Sequence, residues 1–262
     1  MPLFVIDDGT PERLLQEPAG MSRGLELSER PEGFAYGGLA DPFPDELLIP
    51  RSDWQGLIEE QEERGTDLAA VAARHRLGVK NQKSTNFCWA FGPVRALEYV
   101  RLRHGLLGPD GRPFSLSPAS VACPLNGYRN QGGWGRNALA RLASHGAVPS
   151  DRWPDAAIDR RYATEENWRA ALDYRTTEWW ELEPGNLDQH ISCLLRGYAV
   201  AVGLNYWRHE VCDRRARWLD GAIAVEFDNS WSEDWGHEGR GVRQGRRILA
   251  DDAVSPRVAV AA

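Results

Sequence analysis

One cysteine of the chain stands where its thiol could act as a nucleophile. Cys88 lies at the head of a stretch with helical periodicity, which we predict to run to His104. The free N–H groups and the dipole at a helix N-terminus lower the pKa of a thiol towards the thiolate, the form that attacks carbonyl groups. Gln82 lies six residues upstream, where its side-chain amide could reach a developing oxyanion. This pair predicts thiol chemistry if the chain also supplies a base and a residue that orients it.

The residues around Cys88 resemble the active-site signature of the papain-like cysteine proteases. In that family a glutamine is followed, after five residues, by C-W-A-F, and this chain has Gln82 and then Cys88-Trp89-Ala90-Phe91. The resemblance implies that Cys88 attacks a peptide carbonyl and forms an acyl-enzyme. It also implies that Gln82 and the backbone N–H of Cys88 stabilise the oxyanion. We expect no cofactor and no metal ion.

Among the six histidines, His209 is the favoured base. It opens a strand-like segment, a turn at Leu219-Asp220-Gly221 reverses the chain, and the returning strand ends at Asn229. A histidine that opens one strand and an asparagine that closes the next can meet side by side. His237 is the rival base, and we place it in a loop.

The segment after the second strand carries a further resemblance to the same family. Asn229-Ser230-Trp231, followed by Asp234-Trp235-Gly236, resembles the family's N-S-W-G and G-W-G elements. The resemblance implies that Asn229 orients His209 and fixes its tautomer, while Trp231 shields their contact from water.

Two residues depart from the family pattern near this base. Ser232 stands where the family has glycine, and Arg208 precedes His209 where papain has aspartate. A cation beside the imidazole is expected to disfavour its protonated form and to weaken a Cys–His ion pair.

A glycine-rich segment is the candidate wall of the substrate groove. Gln131-Gly132-Gly133-Trp134 resembles the family's N-G-G plus aromatic element, whose glycines let a substrate backbone approach closely. An ordinary Gly-Gly turn is the alternative. By the resemblance, Trp134 shapes the pocket for the second residue before the scissile bond. The predicted substrate-binding residues are Gly132, Gly133, Trp134, Trp89, Trp231 and Trp235.

Composition limits the classes of function. With 262 residues and 42% hydrophobic content, the chain can bury one sizeable core or two sub-lobes. Its net charge is -7 and its 31 basic residues are dispersed, so we expect no nucleic-acid partner. No apolar run approaches the roughly 20 residues of a membrane span, and the first residues do not resemble a secretory signal.

Cysteine usage favours a reducing compartment. If Cys88 is free, three cysteines remain, and an odd number argues against a disulfide framework: they are Cys123, Cys193 and Cys212. Thr85 stands where secreted family members carry a cysteine. We therefore expect a cytoplasmic protein.

The chain divides into three parts on its patterns. Residues 1–47 are rich in proline, glycine and acidic side chains and predict an extended arm over the surface. The alternative is an inhibitory pro-segment that crosses the cleft, which we rank second because the arm is short and lacks helical periodicity. The stretch Ile49-Pro50 to Trp54 resembles the family's mature start. This resemblance places the start of the catalytic domain near residue 48. We therefore expect a catalytic domain over residues 48–250 and a C-terminal tail over residues 251–262.

These observations predict an α+β, papain-like two-lobed fold, with a central helix in a helical lobe and an antiparallel sheet or barrel in the other. The predicted function is a thiol endopeptidase that uses Cys88, His209, Asn229 and Gln82 on peptide or protein substrates. The alternative is a structural or virion-associated assembly component with weak or no activity, for example in a phage particle, whose arm and 55–77 insert bind protein partners. An amidase or transglutaminase is a third hypothesis.

Overall fold

The structure, a computed structural model, describes residues 3–27, 40–108 and 110–260. The helices are α1 Trp54–Arg64, α2 Leu68–Arg74, α3 Cys88–Arg103, α4 Pro118–Leu125, α5 Gly135–His145, α6 Glu165–Ala171 and α7 Leu187–Leu195. The strands are β1 Val5–Ile6, β2 Ala40–Pro42, β3 Thr176–Glu181, β4 Val200–Leu204, β5 His209–Leu219, β6 Ala222–Asp228, β7 Arg240–Gln244 and β8 Asp252–Ala259. None of the described helices is long and apolar enough to cross a membrane.

The strands form one sheet in the order β1-β7-β6-β5-β4-β8-β3-β2. Its inner pairs are antiparallel, while the two outermost pairs, β1 with β7 and β2 with β3, are parallel. Both edge strands therefore come from the N-terminal region of the chain. The predicted α+β class is confirmed.

Helix α3 lies between two hydrophobic cores. Its residues from Cys88 to Leu102 are all buried, and it packs against α5 on one side and against β4, β5 and β8 on the other. One core gathers side chains of α2, α3, α4 and α5. The other gathers α1, α7 and most of the sheet. The fold thus has a helical side and a sheet side that meet at α3.

A buried charge network ties α3 to the end of β6. Glu98 pairs with Lys80 at 3.1 Å and with Arg95 at 2.9 Å. Asp228 accepts a hydrogen bond from the Tyr99 hydroxyl at 2.8 Å and lies 3.4 Å from Arg95. Buried charges require such pairing to offset their desolvation. The network fixes the point where Asn229 leaves the sheet.

The expected C-terminal tail is wrong for residues 252–259. These residues form β8, which pairs with β4 and β3 in the interior of the sheet, and Val254 and Ser255 are buried. Strand β8 is buried on both faces, so its residues do not alternate between apolar and polar. The sequence therefore lacks the alternation by which a half-buried strand is recognised.

The N-terminal region and the insert are also integrated into the fold. Ile6, Leu15 and Leu25 are buried, so residues 3–27 are more than an arm on the surface. The 55–77 insert forms most of α1 and all of α2. The expected arm over residues 28–39 lies outside the described residues.

Candidate active site

Cys88 is the first residue of α3 and is fully buried. Its Sγ receives the backbone N–H of Gly24 at 3.3 Å, and the backbone N–H of Glu210 also points at it. Burial raises the pKa of Cys88 to about 12, the Glu210 carboxyl raises it as well, and the surrounding N–H groups lower it by less. In this state Cys88 is a neutral thiol.

His209 is the first residue of β5 and lies against Asn229, the residue that follows β6. Its Nε2 is 2.7 Å from Oδ1 of Asn229, and the same Oδ1 accepts the backbone N–H of Ser230 at 2.7 Å. Because this oxygen is an acceptor, Nε2 carries the proton and Nδ1 is the acceptor nitrogen of the neutral ring. Nδ1 is buried and has no hydrogen-bond partner among the described residues.

The imidazole of His209 is neutral in this structure. Burial lowers its pKa to about 3, the hydrogen bond that His209 donates to Asn229 opposes this shift, and the charge of Arg23 adds to it. From the sequence we expected the neighbouring cation Arg208 to lower the pKa of His209. Burial is instead the main cause, because Arg208 is exposed and Arg23 supplies the cationic contribution.

Tryptophans cover His209. The Trp231 ring lies 4.4 Å from the imidazole, centroid to centroid and inclined by 31°, and Trp207 meets it edge-on at 5.0 Å. Trp235 lies in the next layer, against Trp231 at 6.0 Å and Phe4 at 4.9 Å. Trp231 therefore shields the His209–Asn229 contact, whereas Trp235 supports the aromatic cluster from behind.

Gln82 is held in place by Ser230. The Ser230 hydroxyl donates a short hydrogen bond to Oε1 of Gln82, and the Gln82 backbone N–H donates to the Ser230 carbonyl at 2.8 Å. The Gln82 Nε2 donates to the carbonyls of Ser22, at 2.8 Å, and Thr85, at 2.7 Å. Since Ser230 also contacts Asn229, residues 229–230 link the positions of Gln82 and His209.

Residues 22–26, which we call the cleft segment, run between Cys88 and the glycine-rich wall. Leu25 pairs in parallel with Gly133. The Gly133 N–H donates to the Gly24 carbonyl at 2.9 Å, and the Glu26 N–H donates to the Gly133 carbonyl at 3.0 Å. Trp231 donates from its indole to the Ser22 carbonyl at 3.0 Å. The expected surface arm is corrected for these residues, because they lie against Cys88 and the glycine-rich wall.

Glycines make this close passage possible. A Cβ on Gly24 would lie 2.0 Å from the backbone oxygen of Asn86, and one on Gly132 would lie 2.6 Å from the Gly24 oxygen. A Cβ on Gly133 would lie 2.6 Å from the Trp89 ring. Gly132 and Gly133 therefore line the groove, while Trp89 supports the wall from behind.

The remaining predicted groove residue, Trp134, precedes α5 and lies near the chain beyond the cleft segment. Its indole N–H donates to the Leu27 carbonyl at 3.4 Å. The described contacts thus join His209 with Asn229, Gln82 with Ser230, and the cleft segment with Cys88, Gly133 and Trp231. The structure places Trp89 and Trp235 one layer behind the groove.

Several residues of the site were missed by sequence reasoning. They are Ser22, Gly24 and Leu25 of the cleft segment, Glu210, and Ser230 in its contact with Gln82. The sequence around Glu210, which reads His-Glu-Val-Cys-Asp, is polar, and it gave no signal that this strand start is buried. Within the described ranges, no group of three or more His, Cys, Asp or Glu side chains is placed to hold a metal ion.

Comparison with known proteins identifies the fold. No protein-family model and no curated protein sequence matches the chain. Among solved structures, xylellain, a cysteine protease from Xylella fastidiosa, superimposes with a TM-score of 0.63 at 16% identity, over 92% of this chain and 97% of that one. The procathepsin B S9 of Trypanosoma congolense gives 0.64 at 15% identity, over 92% and 87%.

A digestive procathepsin L 3 from the larval midgut of Tenebrio molitor gives a TM-score of 0.58 at 18% identity. The superposition covers 69% of this chain and 66% of that one, so the chain spans about two thirds of this neighbour. The chain therefore has the papain-like fold, as its sequence motifs indicated.

Proposed function

We propose that the chain is a papain-like thiol peptidase that the cleft segment keeps latent. The observation that carries this proposal is that Asn229 holds the His209 ring at the start of β5, one residue before the backbone N–H that faces the Cys88 sulfur. Asn229 binds Nε2 at 2.7 Å, so that Nδ1 is left to accept a proton. The backbone N–H of the next residue, Glu210, contacts the Cys88 sulfur. Asn229 and His209 are therefore joined where β6 ends and β5 begins, and β5 packs against α3, which begins at Cys88.

Each of these residues has a role in one step of acyl transfer. When the cleft segment leaves, water enters, the desolvation of Cys88 and His209 is relieved, and the thiol proton moves to Nδ1. The thiolate then attacks the substrate carbonyl carbon, and the electron pair of the C=O bond moves to the oxygen. The side-chain amide of Gln82 and the backbone N–H of Cys88 stabilise that oxyanion.

Breakdown of the intermediate releases the first product. The C–N bond breaks, His209 gives its proton to the departing amine, and a thioester joins Cys88 to the acyl group. His209 then takes a proton from water, whose oxygen attacks the thioester. The carboxylic acid leaves and the Cys88 thiol is restored.

The contacts of the cleft segment support latency. An N–H of Gly24, and not a carbonyl carbon, faces the Cys88 sulfur. The amide of Gln82, the proposed oxyanion donor, is occupied by the Ser22 carbonyl. The groove is therefore filled by a strand that is not presented for attack. The proforms named among the structural neighbours are consistent with such a device.

Hydrolysis of a denatured protein substrate, such as casein, tests the proposal. We expect weak hydrolysis by the wild-type chain and stronger hydrolysis by Gly24→Ala, because the new Cβ cannot fit beside Asn86. Cys88→Ser in the Gly24→Ala background is expected to abolish hydrolysis. A folded Gly24→Ala variant that cleaves no peptide bond, or a Cys88→Ser variant that retains activity, would contradict the proposal.

A further inference from the structure

Three neighbouring strands place two acidic side chains on either side of a glycine. Gly203 of β4 is directly opposite Glu210 of β5 and directly opposite Asp252 of β8. Residues that face each other across neighbouring strands project from the same side of the sheet. Because Gly203 has no side chain, the sheet has a groove at this point with a carboxyl side chain on each side.

Leu25 of the cleft segment fills this acidic groove. At the position that a Cβ on Gly203 would take, the two methyl carbons of Leu25 lie at 3.3 and 3.4 Å and the Cβ of Asp252 at 3.2 Å. Leu25 pairs with Gly133 and follows Gly24, which contacts the Cys88 sulfur. The groove therefore receives the side chain of a peptide residue that lies close to the reacting atom.

Glycines on the helical side leave room for the Glu210 carboxyl. A Cβ on Gly92 of α3 would lie 3.0 Å from Oε1 of Glu210, and a Cβ on Gly135 of α5 would lie 2.2 Å from it. Glu210 is 1% exposed. Neither of its carboxyl oxygens has a well-formed hydrogen bond, and no cation pairs with it, among the described residues. An acidic group buried in this way is costly unless a partner arrives.

Leu25 brings no opposite charge to Glu210. Burial and the charge of Asp252 raise the pKa of Glu210 well above its ordinary value, and the nearby N–H of Gly135 opposes this shift by less. A cationic side chain in place of Leu25 would oppose this shift, because it could form an ion pair with the Glu210 carboxylate. Such a pair, desolvated between the sheet and two helices, discriminates more strongly than an exposed one.

We propose that the acidic groove selects substrates with arginine or lysine at the residue whose place Leu25 takes. This inference rests on the peptidase function proposed above and names the substrate class of the same site. Gly24 contacts the Cys88 sulfur and Leu25 is its neighbour in the chain. The acidic groove therefore lies one residue away from the sulfur, and in a substrate whose scissile carbonyl faces Cys88 it receives the second residue before the scissile bond.

Matched peptide substrates test this specificity. Two fluorogenic dipeptide amides share arginine before the scissile bond and carry either arginine or leucine at the second position. With Gly24→Ala as the enzyme, we expect kcat/KM to be roughly tenfold higher for the arginine peptide, which corresponds to about 1.4 kcal/mol. Adding Glu210→Gln, and separately Asp252→Asn, should reduce this ratio by lowering kcat/KM for the arginine peptide. A preference for leucine, or a ratio that Glu210→Gln leaves unchanged, overturns the inference.

A second measurement does not depend on catalysis. In the full chain, Leu25→Lys and Leu25→Gln place a cation or a neutral polar group in the acidic groove. At pH 7 we expect Leu25→Lys to unfold at a higher temperature than Leu25→Gln. Adding Glu210→Gln to both variants should remove this difference in unfolding temperature. If no peptide is cleaved but Leu25→Lys still unfolds at a higher temperature than Leu25→Gln, the peptidase function is contradicted and the cation-binding groove is supported. Equal or lower stability of Leu25→Lys overturns the groove inference even if the chain is a peptidase.

Discussion

His209 donates a hydrogen bond from Nε2 to Oδ1 of Asn229 across 2.7 Å, while its Nδ1 is buried with no partner among the described residues. This contact fixes one tautomer, because Oδ1 can only accept. It also fixes the plane of the ring, which Trp231 covers at 4.4 Å. The proposed base is thus held by an amide and an aromatic ring before any substrate arrives.

Replacing Asn229 tests whether this contact supports catalysis. Asn229→Ala in the Gly24→Ala background is expected to lower kcat by roughly 100-fold with little change in KM, because a misplaced base loses its reaction geometry. Asn229→Asp keeps the acceptor and adds a negative charge, so it should retain more activity and move the acidic limb of the pH–rate profile upwards. Steady-state kinetics across pH measure both effects. Equal kcat in all three proteins would contradict the orienting role.

Ser230 is expected to act through Gln82. Its hydroxyl binds Oε1 of Gln82, so Ser230→Ala frees the amide to rotate away from the oxyanion. We expect a smaller loss of kcat from Ser230→Ala than from Gln82→Ala, for which removal of an oxyanion donor predicts a loss of about 10²–10³. A double-mutant cycle measures the coupling. Independent, additive losses would show that Ser230 does not act through Gln82.

The buried imidazole makes stability depend on pH. The pKa of His209 is about 3 in the folded protein and 6.5 ordinarily, so between these values the unfolded state binds the additional proton. The contribution of neutral His209 is complete above pH 6.5 and is lost as the pH falls towards 3. The loss is about 1.4 kcal/mol per pH unit.

Denaturant unfolding of the wild type and His209→Gln isolates this effect. Between pH 6.5 and pH 5, we expect the free energy of unfolding of the wild type to fall by about 2 kcal/mol more than that of the variant. All other titrating groups are shared by the two proteins and largely cancel. Parallel pH profiles would show that His209 is accessible to protons in the folded state.

The sequence predicted the elements that carry Cys88, His209 and Asn229 because their signals are local. Helical periodicity begins at Cys88, and a turn at Asp220 and Gly221 joins the strand that His209 opens to the strand that precedes Asn229. These features depend on residues within one element or one hairpin. That these elements lie close together was expected only from the resemblance to the papain-like cysteine proteases.

The cleft segment and the acidic groove could not be predicted in the same way. The conformation of residues 22–26 is set by Gly133 and Gln82, which are distant in the chain, and the segment has no periodicity of its own. Glu210 and Asp252 meet only because β4 lies between β5 and β8 with Gly203 in register with both. That register is a property of long-range strand pairing.

Labelling of Cys88 by an epoxide directed at thiols tests the latent peptidase most directly. The rate is measured by mass spectrometry for the wild type, for Gly24→Ala, and for Gly56→Ala as the matched control, since a Cβ on Gly56 meets nothing within 4 Å. We expect slow labelling of the wild type and of Gly56→Ala, and labelling of Gly24→Ala at least about tenfold faster, confined to Cys88 and removed by His209→Ala. Equal rates in all three proteins, or labelling of Gly24→Ala that persists without His209, would contradict a Cys88–His209 nucleophile covered by the cleft segment.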